Sequence, residues 1–294
     1  MNRTAIAILG LAVGSIAPVT MQAAAPPALT ARQVVDRIEA HVGAPWAADT
    51  VDTFKAGDPD TPVTGIAVTM MATFDVVKRA AAGGANLVIT HEPTFYNHQD
   101  QTADLESEHD AVYGAKQAFI SAHHMVVWRF HDHWHRMTPD GILEGMVRAL
   151  GWKAYQKADA PHVFVLPETT LAALSADISR TLDARTLRVV GNPEMQVTKV
   201  ALSPGYAGLE PNRHTLQRDD VQVEVIGEAR EWEGVEYAAD AVTAGLDKAL
   251  IVVGHIPSEQ AGMASCADWL KTFVTEVPVT FVPARQAFWS PGSR

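Results

Sequence analysis

Cysteine is nearly absent from the sequence, with Cys266 as the single example in 294 residues. One cysteine cannot form an internal disulfide, and it cannot supply the paired thiolates of a structural zinc cluster. A disulfide-stabilised fold and a thiolate metal site are therefore both excluded. Any metal site in this chain must be built from His, Asp and Glu side chains.

Basic segments are also lacking. The 23 Lys and Arg residues are outnumbered by 34 Asp and Glu residues, which gives a net charge of −11 at pH 7, and no run rich in Lys or Arg occurs. Proteins that bind nucleic acid or anionic lipid surfaces usually carry such a run. We therefore expect neither nucleic acid nor a membrane surface among the partners of the mature chain.

Several catalytic motifs are missing as well. The sequence contains no phosphate-binding P-loop, no dinucleotide-binding glycine fingerprint and no serine or cysteine nucleophile motif. No motif in the sequence therefore indicates nucleotide binding or a covalent nucleophile in place of a mechanism that depends on metal ions.

Residues 1–25 have the pattern of a secretory signal peptide. Arg3 gives a positive start, an apolar run follows over residues 5–17, and residues 23–25 are small. The apolar run is too short to span a membrane. We predict an exported, periplasmic protein of roughly 270 residues after cleavage. A cytosolic protein with an apolar N-terminus is the alternative.

From residue 63 onward, short β-branched runs alternate with stretches that have helical periodicity. The runs "VTGIAVTM", "NLVIT", "MVVWRF", "VQVEVIG" and "ALIVVG" predict strands, and "FDVVKRAAAGG" is typical of the intervening helices. This alternation predicts an α/β fold with mixed, largely parallel sheets. "HDHWHRMTPDG" and "PGYAGLEPNRHTLQRDD" are predicted to be loops. We expect residues 26–294 to form a single unit.

Polar residues follow four of the predicted strands. "NLVIT" ends in His91-Glu92, "MVVWRF" is followed by residues 131–135, "VQVEVI" by Glu228 and "ALIVV" by residues 255–259. Because ligands of parallel-sheet enzymes bind beyond the carboxyl ends of strands, we expect these four clusters to share one rim. Residues 26–150 and 221–294 would then supply the functional site, with 151–220 forming a second lobe and connection.

Histidine is concentrated in the same region, since eight of the twelve histidines lie between residues 91 and 135. The alternating histidines of "HDHWH" would all point one way if the segment is extended, whereas one or two would reach the rim if it turns. His255 and Glu259 are four residues apart, and a helix starting at Pro257 would bring them together as a chelating pair. Imidazole and carboxylate groups are common ligands of divalent transition metals.

These segments resemble the motifs of the Nif-three-like dinuclear metal-centre family, also labelled GTP cyclohydrolase I type 2 homologues. The family's Thr/Ser-His-His-Pro, His-Thr-x-x-Asp and Gly-His-x-x-x-Glu motifs correspond to residues 90–93, 131–135 and 254–259. The resemblance extends over residues 53–288. Glu92 stands where the family has histidine and His135 where it has aspartate, so one imidazole and one carboxylate are exchanged. Met71 replaces an expected acidic residue.

The resemblance implies a Nif-three-like fold of two interlinked α/β lobes, assembled as a ring-shaped homohexamer. It also implies two divalent metal ions, either zinc, iron, manganese or nickel. The expected ligands are His91, Glu92, His135, His255 and Glu259, with His131 as an alternative ligand. Glu228 is the candidate catalytic residue, acting as general base or as support for a ligand.

The function implied is a metal-dependent hydrolase that activates water against a small-molecule substrate. The family label is a poor guide to the substrate, because an exported protein would not meet cytosolic GTP. The alternative is a periplasmic metal-binding or scaffold protein without turnover. An amidohydrolase-type barrel fits less well, because it needs more βα units than this chain provides.

Overall fold

The structure is a computed structural model that describes residue 1 and residues 29–291. The predicted signal peptide, apart from Met1, therefore lies outside the described residues. Within the described ranges, no helix is both long and apolar enough to cross a membrane.

The described chain alternates strands and helices over most of its length. Its strands are β1 (Phe54–Ala56), β2 (Ile66–Met71), β3 (Leu87–Glu92), β4 (Val126–Arg129), β5 (Gln156–Lys157), β6 (Ala160–Thr170), β7 (Arg188–Val190), β8 (Gln196–Tyr206), β9 (Val223–Glu228), β10 (Ala249–Val252) and β11 (Val279–Phe281). Its α-helices are α1 (Ala31–His41), α2 (Phe74–Ala82), α3 (Ala103–Ser107), α4 (Ala111–Ala122), α5 (Asp132–Arg136), α6 (Gly141–Leu150), α7 (Leu171–Thr181), α8 (Leu209–Leu216), α9 (Glu236–Thr243) and α10 (His255–Leu270). A 3₁₀ turn (Lys153–Tyr155) and a π-helical turn (Glu231–Val235) complete the set.

The first sheet has the strand order β1-β4-β3-β2-β11. The four strands from β4 to β11 are parallel, and the edge strand β1 pairs antiparallel with β4. Ile89 in β3 lies between Val68 in β2 and Trp128 in β4. All three side chains belong to one buried core. Continuous apolar runs are expected for parallel strands that are covered on both faces.

The second sheet has the order β5-β6-β8-β9-β10-β7, with β8, β9 and β10 parallel and the outer pairs antiparallel. The predicted α/β fold with mixed sheets is therefore confirmed. The expectation of a single rim is modified, however, because β3 and β4 belong to one sheet and β9 and β10 to the other. The polar clusters of the two sheets nevertheless meet, since Nε2 of His255, just after β10, lies 3.5 Å from Oε1 of Glu92 in β3.

Helix α10 joins the two lobes, since it packs against β2 of the first sheet and against β8 and β9 of the second. It crosses α6 at two glycines in close contact. A Cβ atom on Gly145 would lie 2.3 Å from the Cα of Gly262, and one on Gly262 would lie 2.6 Å from the Cα of Ile142. This close crossing leaves no room for side chains. It fixes the position of the first turn of α10, which carries His255 and Glu259.

A buried carboxyl group lies in the second sheet, away from the predicted site. Glu224 in β9 is fully buried, and its Oε1 accepts a hydrogen bond of 2.9 Å from the Ser203 hydroxyl. Its Oε2 finds no hydrogen-bond partner in the described part of the chain. Burial raises the pKa of Glu224 from 4.5 to about 8. The folded protein therefore keeps this proton at neutral pH.

We expect Glu224→Gln to stabilise the protein at pH 8 but to change its stability little at pH 4.5. As the pH rises between these values, the unfolded chain loses the Glu224 proton while the folded chain retains it, so stability falls with pH. At pH 8 the free energy of unfolding of the variant should exceed that of the wild type by up to a few kcal/mol, the size set by the pKa shift of Glu224. Urea unfolding at both pH values measures the effect, with exposed Glu168→Gln as control. An equal change at both pH values would contradict it.

Candidate metal centre

The first arm of the site is the end of β3, where His91 is fully buried and Glu92 is nearly so. Nδ1 of His91 lies 3.1 Å from the carbonyl oxygen of Phe130, which can only accept a hydrogen bond. Nδ1 of His91 therefore carries the proton, and Nε2 is the unprotonated nitrogen with a free lone pair. Burial and the neighbouring His131 and His135 hold the pKa of His91 well below 6.5. His91 is thus a neutral imidazole, the form that binds metals.

The second arm departs from the sequence prediction, because part of the predicted loop forms the short helix α5. Asp52 caps it: Oδ1 accepts hydrogen bonds from the amides of His131 and Asp132, and Oδ2 accepts from the amide of His133. Helical spacing of four residues places His131 and His135 on the same side. Their ring centroids lie 4.5 and 4.9 Å from that of His91.

His133, the middle histidine of the motif, points away from the site. Its Nδ1 lies 2.7 Å from Oδ2 of Asp52, and its Nε2 accepts a hydrogen bond of 2.9 Å from the amide of Ala47. The ring stacks on Trp46 with 3.6 Å between centroids. Because both ring nitrogens are occupied, His133 is a structural residue that ties α5 to the body of the protein.

The third arm is the first turn of α10, which begins at His255 and not at the predicted Pro257. The Ser258 hydroxyl donates to the carbonyl of His255 and accepts from the amide of Gly205. Gly205 has φ +75°, and a Cβ there would lie 2.2 Å from Oε1 of Glu259. Glycine is required by both the conformation and this approach. The predicted chelating pair is present, with Nε2 of His255 3.2 Å from Oε2 of Glu259.

The structure brings all six predicted ligand residues together. Two overlapping groups could each hold a metal ion, and in each group the ligand atoms lie within 4.8 Å of one another. The groups are His91, His131 and His135, and His91, Glu92 and Glu259. His255 adjoins the second group, because its Nε2 lies 3.5 Å from Oε1 of Glu92. His91 belongs to both groups and therefore occupies the middle of the centre.

The donor atoms also fit a divalent metal. Within the described chain, three of them are buried without a hydrogen-bond partner: Nε2 of His91, Nε2 of His255 and Oε2 of Glu259. Buried polar atoms without partners are costly unless a ligand satisfies them. Nε2 of His91 lies 3.6 Å from Oε2 of Glu259. Ligand atoms bonded to one ion at about 2.1 Å are separated by about this distance.

Each ligand histidine has an acceptor at Nδ1, so its Nε2 faces the centre. The acceptors are the Phe130 carbonyl for His91, Asp132 for His131, Asp140 for His135 and Glu228 for His255, at 3.1, 2.9, 2.9 and 3.5 Å. Such outer partners fix the tautomer and orientation of metal-binding histidines. Asp52, Asp132 and Asp140 were missed by the sequence analysis, although two of them lie within or just after the "HDHWH" motif.

Charge at the centre is dominated by carboxylates. Burial lowers the pKa of His255, but Glu228, Glu259 and Glu92 outweigh burial and raise it to about 12. Burial alone would raise the pKa of Glu92, yet the hydrogen bond with His255 lowers it well below 4.5. Glu92 is therefore ionised. A divalent cation would neutralise this local excess of negative charge.

The two residues that depart from the family motifs each have their own partner. Oε2 of Glu92 lies 3.5 Å from the buried guanidinium of Arg129. Nδ1 of His135 lies 2.9 Å from Oδ2 of Asp140. Burial lowers the pKa of His135, but Asp140 outweighs burial and raises it. The exchanged ligands are thus held in place by groups suited to a carboxylate and an imidazole.

A cavity of about 710 Å³ opens over the centre. Besides the ligands, its walls include Met71, Phe74, Tyr96, Lys116, Tyr206 and Glu228. His98 also lines the cavity, with its ring centroid 5.7 Å from that of His131. Met71 stands where an acidic side chain was expected, so this wall is apolar. The centre is therefore accessible to a small molecule.

Comparison with known proteins supports the resemblance. Residues 29–287 match the model of the Duf34/NIF3 (NGG1p interacting factor 3) family. No curated protein matches the sequence.

Solved structures share the fold at low sequence identity. Protein SA1388 of Staphylococcus aureus is 16% identical, with a TM-score of 0.68 over 90% of this chain and 99% of that one. A Bacillus cereus protein related to NIF3 is 15% identical, with a TM-score of 0.67 over 90% and 99%. Reduced HcgD from Methanocaldococcus jannaschii is 14% identical, with a TM-score of 0.61 over 85% and 96%.

Proposed function

The chain belongs to the Duf34/NIF3 family, and we propose that it is a hydrolase that depends on a dinuclear centre of divalent metal ions. The main support is the convergence of unpartnered donor atoms from His91, His255 and Glu259 at the floor of an open cavity. A purely structural polar cluster would be expected to satisfy these atoms internally.

Four imidazoles and two carboxylates are available to two ions. The residues that would hold them are His91, Glu92, His131, His135, His255 and Glu259. This donor set suits zinc, iron, manganese or nickel. Divalent ions in such a pair lower the pKa of water and stabilise negative charge on the group under attack.

The protein itself would orient the ligand side chains and give a substrate access to the metal ions. The acceptors at Nδ1 keep each Nε2 directed inward, and helix α5, capped by Asp52, places His131 and His135 on the same side. The cavity admits a small-molecule substrate. We further propose that the N-terminal signal pattern directs the protein to the periplasm, and that the mature chain assembles as a homohexamer.

Glu228 is proposed to accept a proton during hydrolysis. Its Oε2 lies 3.5 Å from Nδ1 of His255, and its half-exposed side chain lines the cavity. Contact with His255 lowers the pKa of Glu228, so it is an ionised carboxylate at neutral pH. It is therefore placed both to orient His255 and to meet substrate or water.

We expect Glu228→Gln to keep its metal and lower kcat by about 100-fold or more, because glutamine can accept a hydrogen bond from His255 but cannot take a proton. Hydrolysis of a panel of small phosphate esters, carboxylic esters and cyclic amides by metal-loaded protein would supply the assay. Glu231→Gln is the matched control, because Glu231 is exposed and pairs with Arg188 outside the cavity. An unchanged kcat would remove this role from Glu228.

The same panel tests the hydrolase proposal as a whole. We expect turnover of at least one substrate class by metal-loaded protein and none by chelator-treated protein. Full metal content without turnover of any class would favour the alternative, a metal-binding or scaffold protein.

A further inference from the structure

Lys116 is a buried cation in the wall of the cavity above the metal centre. It lies in the middle of α4, is 2% exposed and lines the cavity. Its Nζ donates a hydrogen bond of 2.6 Å to the carbonyl of Thr94. The ring centroids of Phe95 and Tyr96 lie 5.4 and 5.7 Å from Nζ. No role for this residue was predicted from the sequence.

Lys116 differs from the other buried cations nearby. Lys55 lies 3.6 Å and Arg129 3.7 Å from Oδ2 of Asp100, and Arg129 also reaches Glu92. In the described part of the chain, no carboxylate oxygen lies within 4.0 Å of the Lys116 ammonium. Burying an ammonium group without an ionic partner is costly. Burial accordingly lowers the pKa of Lys116 to about 8.

The ammonium has unused hydrogen-bonding capacity. A lysine carries three N–H donors, and the Thr94 carbonyl takes one of them. Among the described residues that line the cavity, Lys116 is the only lysine or arginine, whereas Glu92, Glu228 and Glu259 are all acidic. Lys116 is therefore the side chain that can offer free N–H donors on a cation to a negatively charged group in this cavity, at a position separate from the histidines of the candidate metal centre.

The loop beside Lys116 is held in a fixed conformation. Oδ1 of Asp100 accepts hydrogen bonds of 2.7 Å from the amides of both Thr94 and Phe95. Tyr96 has φ +68°, a left-handed conformation that non-glycine residues adopt at a cost. The exposed Tyr96 ring is thereby kept at the cavity wall next to the ammonium. Binding at this position would need little reorganisation of the protein.

We propose that Lys116 is an anion-binding position of the substrate site. The molecule hydrolysed at the metal centre carries, on the part that does not react, a carboxylate or phosphoryl group that binds Nζ of Lys116. This inference rests on the proposed metal-dependent function and adds the substrate class: a small molecule with an anionic group separate from the scissile bond.

The test uses metal-loaded full-length protein and a series of small acids as probes. Acetate, malonate, succinate and glutarate are titrated by calorimetry, so that one carboxylate can bind the metal centre and the second can reach Lys116. In the wild type, at least one diacid should bind more tightly than acetate. Lys116→Met should weaken that diacid by about tenfold or more, because a charged hydrogen bond is lost, and leave acetate within about twofold.

A matched series with one carboxylate replaced by a phosphonate identifies which group Lys116 prefers. Lys78→Met is the control variant, because Lys78 is an exposed lysine whose Nζ lies 4.0 Å from the ring centroid of Phe74 at the same cavity. Lys116→Gln retains a donor for the Thr94 carbonyl and replaces the methionine variant if that variant folds poorly. Both Lys116 variants should retain the wild-type metal content.

The outcomes separate this inference from the proposed function. If metal binds but no diacid exceeds acetate, or if Lys116→Met loses thermal stability and keeps its diacid affinity, Lys116 only supports the loop. The metal centre would then stand without the anion-binding position. If no divalent metal binds at all, both proposals fail.

Discussion

Replacing His91 by alanine is expected to remove bound divalent metal from the protein almost completely. His91 is the residue shared by the two ligand groups, so its loss leaves each group with two members. Plasma mass spectrometry of untagged protein should give about two equivalents of metal per wild-type chain. The variant should retain only a small fraction, with metal affinity reduced by more than the roughly 10- to 100-fold typical of outer-sphere changes.

His133→Ala is the matched control for this experiment. His133 is as fully buried as His91 and lies between His131 and His135 in the sequence. Its ring nitrogens are engaged by Asp52 and the amide of Ala47 and do not face the centre. We therefore expect His133→Ala to be less stable to unfolding but to retain its metal after equilibration with the ion.

The pattern of loss is informative about how the ions share ligands. Retention of one equivalent by His91→Ala would show that one ion is held without His91. A His133→Ala variant that loses metal while His91→Ala keeps it would contradict the assignment of both histidines. His255→Ala, which removes the arm from α10, should reproduce the loss seen for His91→Ala if the distant ends of the chain form one centre.

The segments that carry the candidate ligands could be located from the sequence, because each lies at or soon after the end of a short apolar run. Four residues of "NLVIT" begin β3, which His91 and Glu92 complete, and "ALIVV" covers β10 and the residue after it. The polar residues that follow these runs therefore lie at or just beyond strand ends. Spacing of four residues between His255 and Glu259 also carried over directly into helix geometry. These features depend on local periodicity, which can be recognised directly in a sequence.

The parts that could not be predicted depend on contacts between distant residues. The helix α5 forms where a loop was expected, because Asp52 caps it from about 80 residues earlier in the chain. Helix α8, over Leu209–Leu216, lies within the other predicted loop, and its glycine N-cap makes no side-chain hydrogen bond. The division of the strands between two sheets, both of which pack against α10, likewise involves residues far apart in the chain. Local sequence patterns contain no record of such contacts.

Like Asp52, Arg129 has contacts at the site that could not be predicted from the sequence, because it lies within the apolar run "MVVWRF". The guanidinium is completely buried next to Glu92, one of the candidate metal ligands. Its Nε donates a hydrogen bond of 2.9 Å to the carbonyl of His91, and one terminal nitrogen donates to the carbonyl of His98. It also lies 3.5 Å from Glu92 and 3.7 Å from Asp100. Arg129 thus links two ligands to the loop that walls the cavity.

We expect Arg129→Met to be among the most destabilising single changes in this protein. Methionine keeps part of the apolar stem but leaves the carboxylates of Glu92 and Asp100 buried with one cation fewer. Breaking a buried ion pair in this way typically costs about 3–5 kcal/mol in the free energy of unfolding. Urea unfolding of metal-free protein measures the loss. Arg37→Met is the control, because the partly exposed Arg37–Glu276 pair should contribute about 1 kcal/mol or less.

The same variant should also weaken metal binding, which a purely structural residue far from the centre would not do. Without the guanidinium at Oε2, the Glu92 carboxylate is free to rotate, and its Oε1 is no longer held towards His255. Loss of such an outer partner lowers metal affinity by roughly 10- to 100-fold. Competition with a fluorescent chelator measures the affinity. If Arg129→Met lost stability but bound metal as tightly as Arg37→Met, Arg129 would support the fold alone, and Glu92 would be oriented by its histidine neighbours.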